Sequence, residues 1–247
     1  VTATDLLAAR MLGVPLAAQW KWPATSPLAK FVSPKGYAMP VTVRLDVSRT
    51  GAARLDFLDP TAVQSVRTPR GESPLAADFS APIVDRTLNV RELLLALEGL
   101  IRPDVRDAQL LALQPYDPDK IPVILIHGLV SHPRMWKNVI NDLTADPAIA
   151  AKYQFWVYYY PSGWPIGYSA MRLREDLDQM EKALGRPKKL VLVGHSMGGI
   201  LARMQAVSPG DALVRAHIPK EKWGQFAQLP ADHIGRKTFV FRANPNV

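Results

Sequence analysis

The chain has 247 residues, of which 48% are hydrophobic and 21% charged, so it can bury a sizeable core. It has no cysteine, which excludes disulfides, thiolate metal sites and a cysteine nucleophile. The formal net charge is +8, but the basic residues are scattered and "RPKK" at 186–189 is their densest cluster. We therefore expect a solvated basic surface and no nucleic-acid binding.

Membrane and targeting signals are equally sparse. No apolar run is long enough to cross a bilayer, so no transmembrane segment is predicted. The sequence begins at Val1 without a signal-peptide pattern, and we expect that the natural N-terminus lies upstream. Cellular location and oligomeric state stay open.

Residues 1–115 predict helices and β-structure without a recognisable motif. "TDLLAARML" (4–12) predicts a short helix and "LNVRELLLALEGLI" (88–101) a longer one. "VTVRLDV" (41–47) and "AARLDFL" (52–58) alternate apolar and polar residues around "SRTG", which is typical of a β-hairpin with one solvent-exposed face. A connector rich in proline and aspartate, "LQPYDPDKIP" (113–122), then predicts a domain boundary between residues 115 and 116.

Residues 116–247 alternate between strands and helices. "PVILIHG", "KYQFWVYYYP" and "KLVLVGHS" predict strands, and the segments "PRMWKNVINDLTAD", "YSAMRLREDLDQMEKAL" and "MGGILARMQAV" predict helices. Apolar strands that alternate with helices indicate a mostly parallel sheet covered on both faces. We predict an α/β fold with a β-containing N-terminal region, and a site where the parallel strands end.

The stretch "GHSMG" fits the pattern G-x-S-x-G through Gly194, Ser196 and Gly198. A strand precedes it and a helix follows at once, which is the setting of a nucleophile elbow. Such a turn strains the serine backbone and leaves no room for side chains two positions before and after it, where this sequence has glycine. The alternative is a glycine-rich turn with an incidental serine.

A second feature, "VILIHGLVSHPRMW", weakens that alternative. His127 and Gly128 follow the first strand of the alternating region. Ester hydrolysis passes through an oxyanion, which backbone amides aimed at it stabilise. The expected donors are the amide of Met197, directly after the serine, and that of Leu129 in the loop.

Together these features resemble the bacterial lipase- and esterase-like members of the α/β-hydrolase superfamily. The resemblance covers residues 116–247 and rests on the HG loop, Trp136, the "YPSG" strand end (160–163) and "GHSMGG". It implies Ser196 as nucleophile, Leu129 and Met197 as oxyanion donors, and supporting roles for Gly128, Gly194, His195 and Gly198. It also implies a small-molecule or lipid ester as substrate and peripheral contact with lipid. The sequence has no G-x-G-x-x-G or Walker pattern, and we expect no cofactor.

A serine nucleophile needs a histidine base and an acid to orient it, and in this fold both follow the serine along the chain. The residues after Ser196 are too few to hold the further strands, the helices and both partners, so we expect the chain to stop before its acid and histidine. Among the local candidates, His217 and His233 stand in the right order, with Asp211 or Asp232 as acid. We favour structural or solvated roles for all four.

The remaining candidates have simpler roles. His195 adjoins the serine but points elsewhere, His127 shapes the oxyanion loop, and His132 lines the pocket or faces solvent. The five-residue spacing of His127 and His132, without grouped carboxylates, predicts no metal site. Trp164 and Pro165 are candidates for the rim of an acyl pocket.

Two functions from different classes remain. The first is a serine hydrolase of carboxylic esters, with the same chemistry on amides, thioesters or acyl acceptors left open. The second is a non-catalytic protein or inactive fragment that keeps the hydrolase frame and binds lipid or a protein partner.

Overall fold

The computed structural model describes residues 11–33, 35–48, 50–69, 71–79, 100–101, 107–185 and 189–247. The helix predicted over 4–12 lies almost wholly outside these ranges, and so does the one predicted over 88–101, of which residues 100 and 101 are helical. Both stay predictions.

The described residues before 76 form five strands. They are β1 (Val14–Trp20), β2 (Tyr37–Val47), β3 (Ala53–Leu58), β4 (Ser65–Thr68) and β5 (Gly71–Pro74). β1, β2 and β3 form an antiparallel sheet in that order, and β4 pairs with β5 in a separate antiparallel ribbon. The predicted hairpin is confirmed as β2 and β3, with Leu45 opposite Leu55.

The exposed face of this hairpin is its apolar one. Phe57 is 70% exposed and Leu45 63% exposed, whereas Thr42 on the other face is fully buried. Arg44 and Asp56 lie on the same face as Thr42 and form an ion pair of 2.6 Å, with only 20% of each side chain exposed. Period-two alternation predicts that the two faces differ, but not which one turns towards the rest of the chain.

A four-stranded sheet forms the centre of the molecule. Its strands are β6 (Gln109–Ala112), β7 (Ile121–Ile126), β8 (Tyr153–Tyr159) and β9 (Val191–Gly194), in the order β6-β8-β7-β9. The pairings of β7 with β8 and with β9 are parallel, whereas β6 runs antiparallel to β8. The predicted α/β fold is present, and the sheet is mixed rather than purely parallel.

Helices cover both faces of this sheet. The α-helices are α1 (Lys137–Ala145), α2 (Pro147–Lys152), α3 (Ile166–Ala183), α4 (Met197–Arg203), α5 (Ala212–His217), α6 (Trp223–Ala227) and α7 (Ile234–Phe239). Short 3-10 helices span Ala29–Phe31, Pro133–Trp136 and Lys220–Lys222. Alternate residues of β7 explain the two layers: Ile124 packs with Leu173 and Leu201 of α3 and α4, and Leu125 packs with Ile140 of α1.

Two segments differ from what their local sequence predicts. Pro147 does not merely end a helix but begins α2, because the Asp146 carboxylate accepts hydrogen bonds from the amides of Ala148 and Ile149. The segment "RKTFVFRANPNV" (236–247) predicts the approach to another core strand, but it forms the end of α7 and then an irregular tail. That tail is held by the amide of Asn244, which donates to Gln205 O, and by Asn246 O, which accepts from the amide of Leu190.

The first region of the chain contributes to the same core. Phe31 packs edge-on against Trp156 of β8, with ring centroids 5.8 Å apart, and Tyr37 belongs to the same buried cluster. β6, which precedes residue 115, is a strand of the central sheet. A division into domains at residues 115 and 116 stays a prediction. Within the described ranges, no helix has the length and apolar character needed to cross a membrane.

Candidate active site

The carboxyl ends of β7 and β9 lie side by side. In this parallel pair Ile126 stands opposite Gly194, and the amide of His195 donates to Ile126 O at 3.0 Å. The loop after β7 and the turn after β9 therefore meet at one edge of the sheet. This is the edge at which the sequence places the site.

The backbone is strained at this point. Among the described residues that are not glycine, only Val130 (φ 48°) and Ser196 (φ 53°, ψ −120°) have a positive φ. Both belong to these two segments. A β-branched or polar residue held in this region costs on the order of 1–3 kcal/mol, and such residues cluster at functional sites. The strain expected at Ser196 is present.

Two glycines make the sharp turn sterically feasible. A Cβ atom on Gly194 would lie 2.3 Å from Gly198 O. A Cβ atom on Gly198 would lie 2.4 Å from Ile126 O and 2.5 Å from His127 O. All of these neighbours are backbone atoms, which cannot rotate away. The crowding predicted two residues before and two after the serine is therefore confirmed.

A third glycine brings the loop against the serine. A Cβ atom on Gly128 would lie 3.1 Å from the Cβ of Ser196 and 2.9 Å from Nδ1 of His195. A side chain at position 128 would therefore push the 127–130 backbone and the turn apart by a few tenths of an ångström. The Ser196 side chain thus lies next to the loop, and Ser196 is exposed.

Two backbone amides at this edge are available to an acceptor. Met197 is the first residue of α4, so its N–H lies outside the hydrogen-bond ladder of the helix and at its positive end. The amide of Val130 donates to Ser162 Oγ at 3.1 Å, whereas that of Leu129 has no acceptor among the described residues. These are the two amides that the sequence names as oxyanion donors.

His127 is fully buried beneath the loop, and both of its ring nitrogens have partners. Nδ1 lies 2.9 Å from Gly128 O, and Nε2 accepts from the amide of Tyr160 at 3.3 Å. This pairing fixes the tautomer with the proton on Nδ1. Burial lowers the pKa of His127 to about 4, so the ring is neutral at pH 7 and holds the loop rather than exchanging protons with substrate.

The strand end "YPSG" braces the same loop from the other side. The hydroxyl of Tyr160 donates to His127 O at 2.9 Å, and its ring stacks on that of His127 with centroids 4.4 Å apart. Ser162 accepts the amide of Val130, as described above. Sequence reasoning uses these residues only as letters of a motif and misses their role, because contacts between β7 and β8 loops are not visible in local patterns.

The other histidines do not reach the serine. His217 pairs through Nδ1 with Leu213 O at 2.9 Å. His233 is the N-cap of α7 and accepts a hydrogen bond from the amide of Gly235. His132 is the N-cap of the 3-10 helix Pro133–Trp136 and accepts one from the amide of Arg134. His195 is exposed beside the loop. All five histidines of the sequence lie in the described ranges, and none forms a hydrogen bond with the Ser196 hydroxyl.

The acid candidates are engaged elsewhere or lie in turns. Asp211 forms an ion pair of 2.6 Å with Arg215 one helical turn away. Asp232 lies in the turn before His233. No pairing of Asp211 or Asp232 with a histidine is found among the described contacts.

The two residues predicted at the rim of an acyl pocket are Trp164 and Pro165. Trp164 is partly exposed and packs edge-on against Tyr168 of α3, with centroids 4.8 Å apart, and Pro165 is exposed just before α3. Leu129 is 52% exposed beside the serine, whereas Trp136 is buried under α1. Pro165, Leu129 and part of Trp164 therefore present surface at this edge.

A cavity among the described residues lies elsewhere. It has a volume of about 420 Å³ and is lined by the 113–118 connector, the start of β8 and residues 38–40 of β2. This is the end of the parallel strands opposite to Ser196. In the described part of the chain, no three metal-binding side chains are grouped closely enough to hold an ion.

Comparison with known proteins agrees with this geometry for the second half of the chain. Residues 123–242 match the model of the alpha/beta hydrolase family. The matched segment contains β7 from Val123 onwards, the loop after it, Ser196 and all of α4. No curated protein and no solved structure matches the chain. The family match supports an α/β-hydrolase relationship and a hydrolase of a general kind.

Proposed function

We propose that this protein is a serine hydrolase of carboxylic esters that forms an acyl-enzyme on Ser196. The observation that carries the proposal is the positive φ of an exposed serine between a parallel strand and a helix, directly against the 127–130 loop. A strained turn of this kind is maintained only where the surrounding structure enforces it. Here three glycines and the β7 carbonyls enforce it.

The reaction follows from these positions. Ser196 Oγ bonds to the ester carbonyl carbon and gives its proton to a base, and the carbonyl oxygen becomes an oxyanion between the amides of Leu129 and Met197. The bond to the alcohol then breaks, and the alcohol leaves with that proton. Water attacks the acyl-serine in the second half-reaction and releases the acid. Each oxyanion donor of this kind contributes about 3–4 kcal/mol to the transition state.

The proposal takes the general base and its orienting acid from outside these 247 residues. As described above, none of the five histidines forms a hydrogen bond with the Ser196 hydroxyl. A serine without a base is a poor nucleophile. The isolated chain should therefore show negligible turnover, and the full-length gene product should be active.

Two exposed apolar side chains favour a lipid or other apolar acyl group as substrate. Leu129 stands beside the serine, and Ile200, one helical turn after it on α4, is 49% exposed. Apolar surface around a nucleophile lowers the free energy of an alkyl chain placed there by about 25 cal/mol per Å² buried. Amides and thioesters remain open as alternatives of the same chemistry.

The second candidate function is a non-catalytic protein that binds a lipid or a protein partner with the same frame. The absence of a histidine on the Ser196 hydroxyl in this chain favours it. Under this alternative, the strained turn is a retained feature without an activated oxygen.

A fluorophosphonate probe separates the two functions, because it labels only an activated serine. The full-length gene product should be labelled, the label should map to Ser196, and Ser196→Ala should abolish it. An unlabelled but folded full-length protein would overturn the enzyme and leave the binding function. In parallel, the 247-residue chain is assayed with a short-chain p-nitrophenyl ester, and robust turnover there would refute the assignment of the base to residues outside it.

A further inference from the structure

The antiparallel sheet of β1, β2 and β3 has one face that is apolar at every position. Residues opposite each other in an antiparallel pair share a face, and successive residues alternate between faces. The register places Val14 opposite Val43, and Leu45 opposite Leu55. The other cross-strand pairs on this side join leucine, valine, alanine, methionine and phenylalanine, and the pair Trp20–Tyr37 ends the face on the side of the core.

This apolar face is the exposed one. Its six most exposed large side chains are Val14, Leu16, Leu45, Val47, Leu55 and Phe57, each exposed by half or more. The other face packs against the chain, where the Thr42 hydroxyl donates to Ala76 O at 2.7 Å. Within the described residues, the Trp20–Tyr37 end of the apolar face packs into the core, and the part of the face towards the β2–β3 turn is exposed. On the opposite face Arg44 and Asp56 are mostly buried, whereas Asp46 and Arg54 are exposed.

The size of this surface is that of an interface. Six such side chains present roughly 600 Å² of apolar area, the upper end of the largest patch on an ordinary monomer. With the less exposed Val41 and Val43 and the strand backbone between them, the face approaches the ~800 Å² that each partner buries in a stable complex.

The charges around the face decide the kind of partner. The only charged side chains of the three strands are Arg44, Asp46, Arg54 and Asp56, and they all point to the opposite face. There they pair with one another, with Arg54 Nε 2.8 Å from Asp56 Oδ1. A membrane-binding surface combines apolar side chains with cations that face the anionic headgroups, and these strands supply none.

We propose that this face is the interface of a homodimer, in which the β1–β2–β3 sheets of two copies pack face to face. A wholly apolar surface is its own complement, because it needs no opposite charge on its partner. A two-fold axis through the sheet then buries the same patch on both copies. Two twisted sheets stack in this way at a separation of about 10 Å, with side chains interdigitating.

The first test is the oligomeric state in solution. Sedimentation equilibrium of the wild-type chain should give a dimer. Leu45→Lys combined with Phe57→Lys should raise the dissociation constant more than about a hundredfold, because each copy would bury two unpaired ammonium groups. Ile234→Lys is the matched control, since Ile234 is a large aliphatic residue, 52% exposed, on α7, and it should remain dimeric. Circular dichroism checks that all variants are folded.

Cross-linking gives a second, independent readout. Since the chain has no cysteine, Phe57→Cys carries a single thiol on the face and Ile234→Cys a single thiol away from it. A short bismaleimide should link two Phe57→Cys chains and should leave Ile234→Cys uncoupled. Three results would overturn the proposal: a monomeric wild type, a charged double variant that still dimerises, or a monomer that binds phosphatidylglycerol vesicles through this face.

Discussion

The glycines around Ser196 are fixed by contacts with backbone atoms. A Cβ at Gly198 would meet Ile126 O at 2.4 Å, but one at Gly199 would have its nearest neighbour, Gly194 O, at 3.5 Å. The two glycines are adjacent in the same helix, so the intrinsic helix propensity of alanine over glycine is the same at both positions. They differ in the space available to an added Cβ atom.

This difference makes a matched pair of variants. Gly198→Ala should destabilise the protein by about 1–3 kcal/mol and reduce labelling of Ser196, because the β7 carbonyl must move. Gly199→Ala should be neutral or stabilise it by about 0.4–1 kcal/mol, since alanine restricts the unfolded chain. Urea unfolding of both variants measures the two effects. Equal stabilities would contradict the steric account of the turn.

His127 makes stability depend on pH in a direction that can be calculated. Its pKa is about 4 in the folded protein and ordinarily 6.5, because burial disfavours the charged ring. Between these values the unfolded chain binds a proton that the folded chain does not. The contribution of the neutral His127 ring to the free energy of unfolding is therefore complete above pH 6.5 and is lost as the pH falls towards 4.

The comparison of wild type with His127→Gln isolates this pH-dependent contribution of His127 to the free energy of unfolding. Burial raises the pKa of Asp176 to about 6, which acts in the opposite direction but equally in both proteins. The free-energy difference between them should shrink by up to about 1.4 kcal/mol per pH unit below pH 6.5. Urea unfolding at pH 7.5, 5.5 and 4.5 measures it. A difference that does not change with pH would refute the buried neutral ring.

At the level of elements, the loop after β7 depends on the end of β8. Val130 is held at a positive φ, and its amide donates to Ser162 Oγ. The Tyr160 hydroxyl holds His127 O. Leu129, the proposed oxyanion donor, lies between these two fixed points, so its amide direction is set by a neighbouring strand rather than by its own sequence.

Ser162→Ala tests this bracing. It leaves the amide of Val130 without an acceptor in a largely buried position, which should cost about 1–3 kcal/mol of stability and slow fluorophosphonate labelling of Ser196. Ser131→Ala is the control, because the exposed Ser131 hydroxyl contacts only Met135 Sδ. If Ser131→Ala slowed labelling as much as Ser162→Ala, the bracing by Ser162 would not be responsible.

The elements also show what the sequence can predict. The central strands and helices follow from periodicity, and the Ser196 turn follows from local sterics, so both were predictable. The exposed side of the β2–β3 hairpin was not, because alternation is symmetric with respect to the two faces. The pairing of β6 with β8 and the roles of Tyr160 and Ser162 depend on contacts between distant segments. The irregular tail after α7 was not predictable either, because the apolar residues at 239–241 fit a strand as well as a packed coil.

At the scale of the whole molecule, the Ser196 edge lies apart from the other two surfaces of interest, which both include residues of β2. The Ser196 edge is at the carboxyl ends of β7 and β9, the 420 Å³ cavity is at the opposite end of the parallel strands, and the apolar face belongs to the β1–β3 sheet. Because β7 rises about 20 Å along its length, a ligand in the cavity would not touch the serine. The proposed chemistry and the proposed dimerisation can therefore be tested separately.

The most direct measurement for the central claim is the location of the acyl group. The full-length gene product is mixed briefly with p-nitrophenyl acetate, quenched in acid and digested, and its peptides are analysed by mass spectrometry. The account predicts one acetyl group on the oxygen of Ser196, formed at the rate of the initial burst and absent from Ser196→Ala. Turnover with the acetyl group on another residue, or unchanged turnover in Ser196→Ala, would contradict it.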